Sequence, residues 1–432
     1  MKYTKLIWRD QQPYSEMFDD IYYSSDEDET VSGESEFEHV FFRHNGLPER
    51  WKEALSENSS FVIAELGFGS GLNCILTIKK WLEFIAGSDD GHQDRCLHYI
   101  AIEKYPLSPQ TLGELASQNI GADPELPTDS PPEVPTDLRS IADELIDNYP
   151  PAVETTHIRR LFGGRVVIHY RFMDALQALA GAELNVDAWY LDGFSPAQNP
   201  EMWSEELFQR IAENSRSGTT CSTYTAAGFV RRNMQAAGFE VSKVAGHGKK
   251  REMLVAVMAA EKTSTTLKFK DRPWFASAPA ISRDIIRRQK TATIIGAGIA
   301  GLSVAYALVQ RGWKVSVIDK HGDVAKGTSE NPAAIVYPRL SADNDTDTAF
   351  YVQAYAYSLY LLKKLQEKHA EKFWFDNGML QRFDKKRIAK IVDRFGFNDD
   401  FISVLNKRAE QPEAGPDNVY AEYGNTGVVL PP

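Results

Sequence analysis

The chain has 432 residues, a length that predicts two or three domains, and its 43% hydrophobic and 25% charged residues are typical of globular proteins. Its net charge of −12, taken alone, argues against a nucleic-acid partner. The three cysteines are scattered without Cys-x-x-Cys or metal-ligand spacing, so we expect no bound metal and a reducing, cytoplasmic location.

The first 260 residues alternate between predicted strands and predicted helices. The N-terminus lacks the apolar segment of a signal peptide. Buried strands are predicted at 61–66, 97–104, 165–173, 187–194, 219–225 and 252–259, with helical apolar spacing between them. This alternation predicts an α/β domain whose mostly parallel sheet carries helices on both faces. A segment rich in proline and acid, 121–137, is predicted to be an exposed insertion.

A glycine-rich loop, ELGFGSGLN at 65–73, follows the first buried strand. Its glycines permit a tight turn and close backbone approach: Gly67, Gly69 and Gly71. The spacing is not G-x-G-x-x-G, and Glu65 would repel a pyrophosphate but attract a cationic amino group. The loop therefore favours S-adenosylmethionine, which carries a charged amino acid and a sulfonium, over NAD.

Other residues near strand ends complete the predicted cofactor site. Glu103 ends the second strand, where a carboxylate can accept both ribose hydroxyls, and Asp174 follows the third strand at a place suited to adenine. Asn73 closes the glycine loop. The alternative is an ordinary turn whose glycines serve packing. The acids at the ends of three successive predicted strands, Glu65, Glu103 and Asp174, argue against it.

The stretch LDGFSPAQNPEMW, 191–203, ends the fourth strand. Asp192 is expected to face the sulfonium methyl, and a flat acceptor could lie in an aromatic-lined pocket of Phe194, Pro196 and Trp203. An alkylammonium has a pKa of about 10.4 and an aspartic acid of about 3.9, so desolvation must lower the amine pKa. We expect Asp192 to orient the amine and draw off its proton, with most of the rate coming from in-line positioning.

A second glycine loop begins after residues 261–290, which are predicted to be a linker because they are rich in base and contain prolines. A complete G-x-G-x-x-G lies between a predicted strand and helix, formed by Gly296, Gly298 and Gly301. Asp319 ends the next strand, where it can take ribose hydroxyls. The glycine spacing and the following strand favour a βαβ unit over a membrane span for the uncharged run 291–309.

NAD and FAD both fit this second loop. The small polar stretch GTSENPAAIVYP at 327–338, which contains Ser329, favours FAD, because flavin amine oxidases place such a loop near the isoalloxazine ring. A long helical stretch is predicted near 347–370.

Five stretches together resemble one family, the bifunctional tRNA 5-methylaminomethyl-2-thiouridine biosynthesis proteins. They are PYSEMFDDIYYS (13–24), LPERW (47–51), ELGFGSGLN (65–73), YLDGFSPAQNPEMW (190–203) and TIIGAGIAGLSVAYAL (293–308). They run in family order across almost the whole chain, and LDGFSPAQNPEMW is the specific one. The resemblance implies a Rossmann-like methyltransferase domain at 1–260, the linker, and an amine-oxidase-like FAD domain at 291–432.

The resemblance implies two consecutive reactions on the wobble uridine of tRNA. The FAD half would remove the carboxymethyl group from carboxymethylaminomethyl-2-thiouridine, and the first half would then methylate the new amine from S-adenosylmethionine. The resemblance makes tRNA the expected partner, with the basic run Lys249, Lys250 and Arg251 as a candidate contact. Family members continue beyond the position of Pro432, so we expect an incomplete FAD domain.

Two departures and two alternatives accompany this resemblance. Glu330 stands where the family commonly has glycine, and Asp319 stands where glutamate is frequent. One alternative is a methyltransferase for another amine fused to an inactive flavin fold, which the acidic net charge slightly favours. The other is a tRNA-binding scaffold whose loops hold cofactors structurally.

Overall fold

A computed structural model describes residues 1–9, 12–23, 32–57, 60–87, 95–119, 137–248, 250–259, 290–341, 345–376, 379–397, 401–405, 418–423 and 427–429. The chain divides into two compact units. The first contains Met1–Lys262, Pro338–Tyr357 and Leu380–Gly424, and the second contains Thr263–Tyr337, Ser358–Met379 and Asn425–Pro432. Nearly all of the predicted insertion and linker lies outside the described residues, and the domain limits 1–260, 261–290 and 291–432 stay predictions.

The first unit is built on eleven strands from the N-terminal part of the chain. They are β1 (Ile7–Arg9), β2 (Gln12–Ser15), β3 (Asp20–Ile21), β4 (Ser60–Leu66), β5 (Cys96–Glu103), β6 (Thr156–Leu161), β7 (Val166–Phe172), β8 (Val186–Leu191), β9 (Ser215–Thr223), β10 (Phe239–Ala245) and β11 (Glu252–Met258). The first three form a small sheet of their own. The other eight form one sheet in the order β10-β11-β9-β8-β4-β5-β7-β6, whose five strands from β9 to β7 are parallel.

The six predicted buried strands are confirmed as β4, β5, β7, β8, β9 and β11. The sequence did not predict β6 and β10. Both lie at the edges of the sheet. β6 alternates buried and half-buried positions and β10 buries only Phe239, so neither shows the continuous apolar run of a central strand.

Helices cover both faces of this sheet, as predicted. The N-terminal helices are α1 (Gly33–Glu36), continuing into a π-helix (Phe37–Arg43), and α2 (Leu47–Glu57). Those that follow are α3 (Leu72–Ala86), α4 (Pro109–Asn119), α5 (Leu138–Asp147), α6 (Ala175–Leu179), α7 (Glu205–Glu213) and α8 (Gly228–Ala236). One core packs α3, α4 and α5 against the sheet, and a second packs α6, α7 and α8. Consecutive strand residues alternate between them, as do Tyr99 and Ile100.

Strand order explains where a ligand can bind in the first unit. β4 lies between β5 and β8, so the chain crosses over in opposite directions from this central strand. Such a reversal leaves a crevice beyond the carboxyl ends of the strands. The glycine loop follows β4, Glu103 ends β5, and Asp192 follows β8, so all three border that crevice.

The second unit contains the second glycine loop. A parallel pair, β12 (Thr291–Ile295) and β13 (Lys314–Ile318), is connected by α9 (Ile299–Val309), which confirms the predicted βαβ unit. The uncharged run 291–309 is therefore a strand and a helix. Within the residues that the structure describes, no helix is both long enough and apolar enough to cross a membrane.

The remaining described elements follow the βαβ unit. The predicted long helix is α10 (Asp345–Lys368), and α11 (Lys385–Phe395) follows it. The strands are β14 (Ala334–Ile335), β15 (Trp374–Asp376), β16 (Met379–Asp384), β17 (Ile402–Leu405), β18 (Asn418–Tyr423) and β19 (Gly427–Val429). They form two three-stranded sheets, β14-β19-β15 and β16-β18-β17. None of these strands exceeds six residues, which explains why no strand pattern was evident in the sequence.

Candidate active site

A cavity of about 870 Å³ opens at the carboxyl ends of β4, β5 and β8 in the first unit. Residues from the sequence-predicted site line it: Gly67, Gly69, Asn73, Glu103, Asp174, Asp192, Phe194 and Lys250. Others come from the N-terminal segment, among them Phe18, Asp20 and Tyr22. The structure thus brings together the strand ends that the sequence marked, and adds a segment that it did not.

The glycine loop needs glycine for two separate reasons. Gly67, Gly69 and Gly71 have φ angles of +84°, +51° and +76°, which L-residues with side chains rarely adopt. In addition, a Cβ on Gly67 would lie 2.0 Å from the carbonyl oxygen of Asp192. The loop after β4 therefore touches the backbone after β8, and the cavity floor is closed only because residue 67 has no side chain.

Glu103 faces the cavity with its carboxylate held by the backbone. Its Oε2 accepts the amide of Gly69 at 3.0 Å, and its Oε1 accepts the amide of Tyr105 at 2.7 Å. Burial nevertheless raises the pKa of Glu103 above its ordinary value. The backbone amides of Phe68 and Lys104 also act on this carboxylate, and a contact between Glu103 and ribose hydroxyls stays a prediction.

Asn73 connects two carboxylates at the base of the cavity. Its Nδ2 donates to Glu65 Oε1 at 2.9 Å and to Asp192 Oδ2 at 2.7 Å, and Tyr99 donates its hydroxyl to Glu65 Oε2 at 2.8 Å. Glu65 is only 1% exposed and does not line the cavity. A direct contact with a cationic amino group therefore stays a prediction for Glu65. Its carboxylate lies behind Asn73 and acts on the cavity by fixing that amide.

Asp192 is the carboxylate best placed to exchange a proton inside the cavity. Burial, together with the negative charge of Glu36, raises the pKa of Asp192 to about 7, although Asn73 and Lys250 oppose the rise. This brings the carboxylate to within about three pKa units of an alkylammonium, where an ordinary aspartate is about six away. Asp192 is therefore a better proton acceptor than its sequence suggests.

We expect methyl transfer to lose rate as the pH falls below about 7, because protonated Asp192 cannot accept a proton. Replacing Glu36 with glutamine removes a negative charge that raises the Asp192 pKa, so the pH at which the rate falls should be lower in this variant. The check is the pH dependence of single-turnover transfer in the parent and in Glu36→Gln. If the rate falls at the same pH in both proteins, the group that titrates is not Asp192 but another one, such as the acceptor amine.

Asp174 lines the same cavity, but much of its carboxylate serves the backbone. Its Oδ1 accepts the amide of Leu176 and caps α6, and its Oδ2 pairs with Lys104 at 3.0 Å. The side chain is 39% exposed. A contact between Asp174 and adenine therefore stays a prediction, which the position permits.

Phe194 belongs to an aromatic group that the N-terminal segment completes. Phe18 stacks on Phe194 with ring centroids 4.5 Å apart, and Tyr22 meets Phe194 edge-on at 5.3 Å. Asp20 accepts the amide of Ser195 at 2.9 Å. The sequence contained this segment as PYSEMFDDIYYS, but nothing in its spacing showed that it contacts the loop after β8, 175 positions further along the chain.

Two of the predicted acceptor-pocket residues lie elsewhere. Trp203 is 2% exposed and donates its indole N–H to the carbonyl oxygen of Phe194, so it supports the loop from below. Neither Trp203 nor Pro196 lines the cavity. Trp203 ends a short 3-10 helix, Pro200–Trp203, and packs into the core, and an acceptor contact with Pro196 or Trp203 stays a prediction.

The residues of the predicted basic run differ in their surroundings. Lys250 lines the cavity, and its ammonium pairs with Glu36 at 3.1 Å and lies 3.9 Å from the centroid of the Tyr224 ring. Arg251 is exposed, and Lys249 lies outside the described residues. Lys250 is thus a cavity residue rather than part of a free basic surface.

The second loop has the geometry of a dinucleotide-binding turn. Gly296 has a φ of +105°, and a Cβ on Gly301 would lie 1.9 Å from the Gly296 carbonyl oxygen, so helix and strand approach closely only with glycine there. Asp319 accepts the amides of Ala297 and His321 at 2.8 Å each, which lowers its pKa. These features fit the pyrophosphate and ribose of a dinucleotide cofactor.

The polar stretch after β13 also lies at this turn. Ser329 Oγ accepts the amide of Ile299 at 3.0 Å, in the first turn of α9, directly after Gly298. Glu330, whose presence near a flavin was unexpected, forms an exposed ion pair with Lys326 at 2.9 Å. The carboxylate is thus accompanied by a cation from the same loop.

Each half of the chain matches a known protein family. Residues 136–259 match a family described as S-adenosyl-L-methionine-dependent methyltransferase, and residues 291–431 match one described as FAD dependent oxidoreductase. The predicted fold class and the predicted pair of cofactors are thereby confirmed. The described residues contain no group of three or more His, Cys, Asp or Glu arranged to hold a metal ion.

Several relatives match nearly all of the chain, and each is named tRNA 5-methylaminomethyl-2-thiouridine biosynthesis bifunctional protein MnmC. The protein from Marinomonas sp. (strain MWYL1) is 36% identical over 414 residues, covering 93% of this chain and 56% of that protein. The one from Marinobacter nauticus is 37% identical over 419 residues, covering 96% and 59%. The one from Aeromonas hydrophila is 36% identical over 438 residues, covering 100% and 60%.

The chain therefore spans less than two thirds of the length of these relatives. Among solved structures, the crystal structure of MNMC2 from Aquifex Aeolicus overlaps 67% of this chain and 76% of that chain at 20% identity. The TM-score of 0.43 is too low for a detailed comparison of the two.

Proposed function

Since the chain is related along 93–100% of its own length to the bifunctional MnmC proteins, we propose that it acts in the synthesis of 5-methylaminomethyl-2-thiouridine in tRNA. The first half would methylate the aminomethyl group of the wobble uridine. The second half would produce that amine by FAD-dependent removal of the carboxymethyl group. We further propose the domain limits 1–260, 261–290 and 291–432, and a cytoplasmic location, which suits the absence of a disulfide among Cys74, Cys96 and Cys221.

One observation carries the methyl-transfer proposal, namely the placement of Asp192 in a cavity that also contains Glu103 and the glycine loop. When bound, S-adenosylmethionine supplies an electrophilic methyl group. Glu103 would hold the ribose hydroxyls and Asp174 would lie against the adenine. Asn73, whose amide is oriented by Glu65, would keep the Asp192 carboxylate in one position, so that it can take a proton from the acceptor nitrogen.

The second half contains residues that fit FAD, for which we propose separate roles. The first-turn amides of α9, after Gly296 and Gly298, would hold the pyrophosphate, and Asp319 would hold the adenosine ribose. When bound, FAD would supply the hydride acceptor for oxidation of the N–CH2 carbon. Ser329, which meets the amide of Ile299, would exchange that contact for one with the cofactor phosphate.

A methyltransferase for a different primary amine remains the second candidate. The observation in its favour is the acidic character of the cavity. Its lining includes two lysines, Lys104 and Lys250, and seven carboxylates, namely Asp20, Glu36, Glu103, Asp174, Asp192, Glu201 and Glu206. Such a charge balance suits a cationic amine more than a phosphate backbone. Methylation of free amines without tRNA would distinguish this candidate from the first.

We expect labelled methyl from S-adenosylmethionine to enter tRNA that carries aminomethyl-2-thiouridine. The comparison is with the same tRNA carrying carboxymethylaminomethyl-2-thiouridine. Label in the first tRNA alone would support the methyltransferase and show an inactive flavin half, and label in both would show that the two halves act in succession. Label in neither tRNA, but in small amines, would replace the tRNA proposal with the second candidate.

A further inference from the structure

An ammonium group already lies in the wall of the cavity, and it belongs to the protein itself. The Nζ of Lys250 is 3.1 Å from Glu36 Oε1 and 3.9 Å from the centroid of the Tyr224 ring. Lys250 reaches this position from the loop between β10 and β11. Its side chain is 47% exposed, so the group lies at the mouth of the cavity and can be replaced from solvent.

The surroundings of Lys250 are fixed independently of it. The Tyr224 hydroxyl donates to the carbonyl oxygen of Gly193 at 2.7 Å, which holds the ring beside the residue that follows Asp192. Glu36 ends α1, whose N-terminus is capped by the Ser32 side chain. An aromatic face and a carboxylate are therefore held on the rim, independently of the lysine that occupies them.

Carboxylates surround the Tyr224 ring. Asp192, Asp20 and Glu36 all act on its hydroxyl electrostatically and, together with burial, raise its pKa. A cation over an aromatic face is attracted by the electron-rich ring, and nearby carboxylates strengthen that attraction. The rim thus has the groups that bind a primary ammonium: the Glu36 carboxylate can accept its N–H groups, and the Tyr224 ring can attract its charge.

We propose that Glu36 and Tyr224 form the binding subsite for the protonated primary amine of the methyl acceptor, and that Lys250 occupies this subsite until the acceptor arrives. The inference rests on the proposed methyltransferase function and adds to it the residues that select a primary amine. Tyr224 connects this subsite to the loop after β8, since its hydroxyl donates to the carbonyl oxygen of Gly193, the residue after Asp192.

Displacement of Lys250 by the acceptor leaves both the charge of the site and the proton transfer to Asp192 balanced. When the acceptor replaces Lys250, the lysine ammonium moves into solvent and one cation replaces another, so the charge of the site is conserved. The acceptor N–H bond that breaks would give its proton to Asp192, and the nitrogen lone pair would form the new bond to the methyl carbon. The bond from that carbon to the donor sulfur would break, and its electron pair would stay on the sulfur as a neutral thioether. No oxidant, reductant or further reactant is needed.

The test measures the acceptor KM and the affinity for a simple amine probe in four variants. We expect Glu36→Gln and Tyr224→Leu to raise the KM for aminomethyl tRNA about tenfold, while Tyr224→Phe, which keeps the ring, has a smaller effect. Lys250→Met should lower the acceptor KM, because it removes the internal competitor. Benzylamine should bind Lys250→Met more tightly than the parent, and benzyl alcohol should bind neither.

The measurements are made at about pH 8.5, above the pKa of about 7 of Asp192 in the parent. The control is Glu38→Gln, because Glu38 lies two residues from Glu36 with similar exposure, pairs with Arg43 and Lys80, and does not line the cavity. It should leave KM unchanged. Measured affinity for S-adenosylmethionine reports whether each variant is folded.

Two results would overturn the subsite. A KM that rises in Lys250→Met as much as in Glu36→Gln would show that Lys250 itself binds the acceptor, for example through a tRNA phosphate. Unchanged KM and benzylamine affinity in Glu36→Gln and Tyr224→Leu would show that the rim does not bind the amine. Benzylamine binding without methyl transfer to tRNA would instead support the amine subsite and contradict the proposal that tRNA is the substrate.

Discussion

Asp192→Asn is expected to lower the rate of methyl transfer roughly 10²–10⁴-fold, the range typical of losing a positioned proton acceptor. The substitution keeps the shape of the side chain but removes its ability to take a proton from the acceptor nitrogen. Affinity for S-adenosylmethionine should be retained, because Glu103 and the glycine loop are unchanged. The measurement is single-turnover transfer of labelled methyl at saturating donor, above the pKa of about 7 of the parent carboxylate.

Asp143→Asn is the matched control for this substitution. Asp143 is an exposed residue of α5 whose carboxylate pairs only at the surface with Arg139, and it does not line the cavity. Its activity should equal that of the parent. Full activity of Asp192→Asn would show that solvent or the substrate takes the proton, and positioning alone would then account for catalysis.

Gly67→Ala is expected to abolish binding of S-adenosylmethionine and to destabilise the first unit. Alanine at a φ of +84° costs roughly 1–2 kcal/mol of backbone strain. The added Cβ would also lie 2.0 Å from the carbonyl oxygen of Asp192, so the loop and the end of β8 must separate. Calorimetric titration with the donor, together with thermal unfolding, measures both effects.

Gly113→Ala provides the contrasting case. Gly113 lies within α4, and a Cβ there would meet no atom within 4 Å. Alanine should stabilise that helix by roughly 0.5–1 kcal/mol and leave donor binding intact. Equal behaviour of the two variants would mean that the loop after β4 can relax around a side chain, and that its closeness to β8 is not needed for the cavity.

The sequence predicted the parts of the site that follow from strand order. Gly67, Glu103 and Asp192 each stand at the carboxyl end of a buried strand, and parallel strands bring such ends together. For the same reason the α/β class, the six central strands and the βαβ unit around Gly296 could be predicted. These features depend on local periodicity and on spacing along the chain.

The parts that the sequence missed depend on contacts between distant segments. Phe18 meets Phe194 across 176 positions, and Lys250 meets Glu36 across 214. No local pattern encodes such pairs. The contact between Glu65 and Asn73 was also missed: the position of Glu65 at the strand end was clear, but the sequence did not show that its carboxylate accepts the Asn73 amide.

The N-terminal segment that covers the cavity has a consequence for the order of binding. Tyr22 lies against Gly69, where a Cβ would be only 3.2 Å from its ring, and Phe18 stacks on Phe194. A molecule resting on the glycine loop is therefore roofed by aromatic rings, while Lys250 and Glu36 stand at the mouth. We expect the donor to bind first and its demethylated product to leave last. Product-inhibition kinetics would show this order if that product competes with the donor and not with the acceptor.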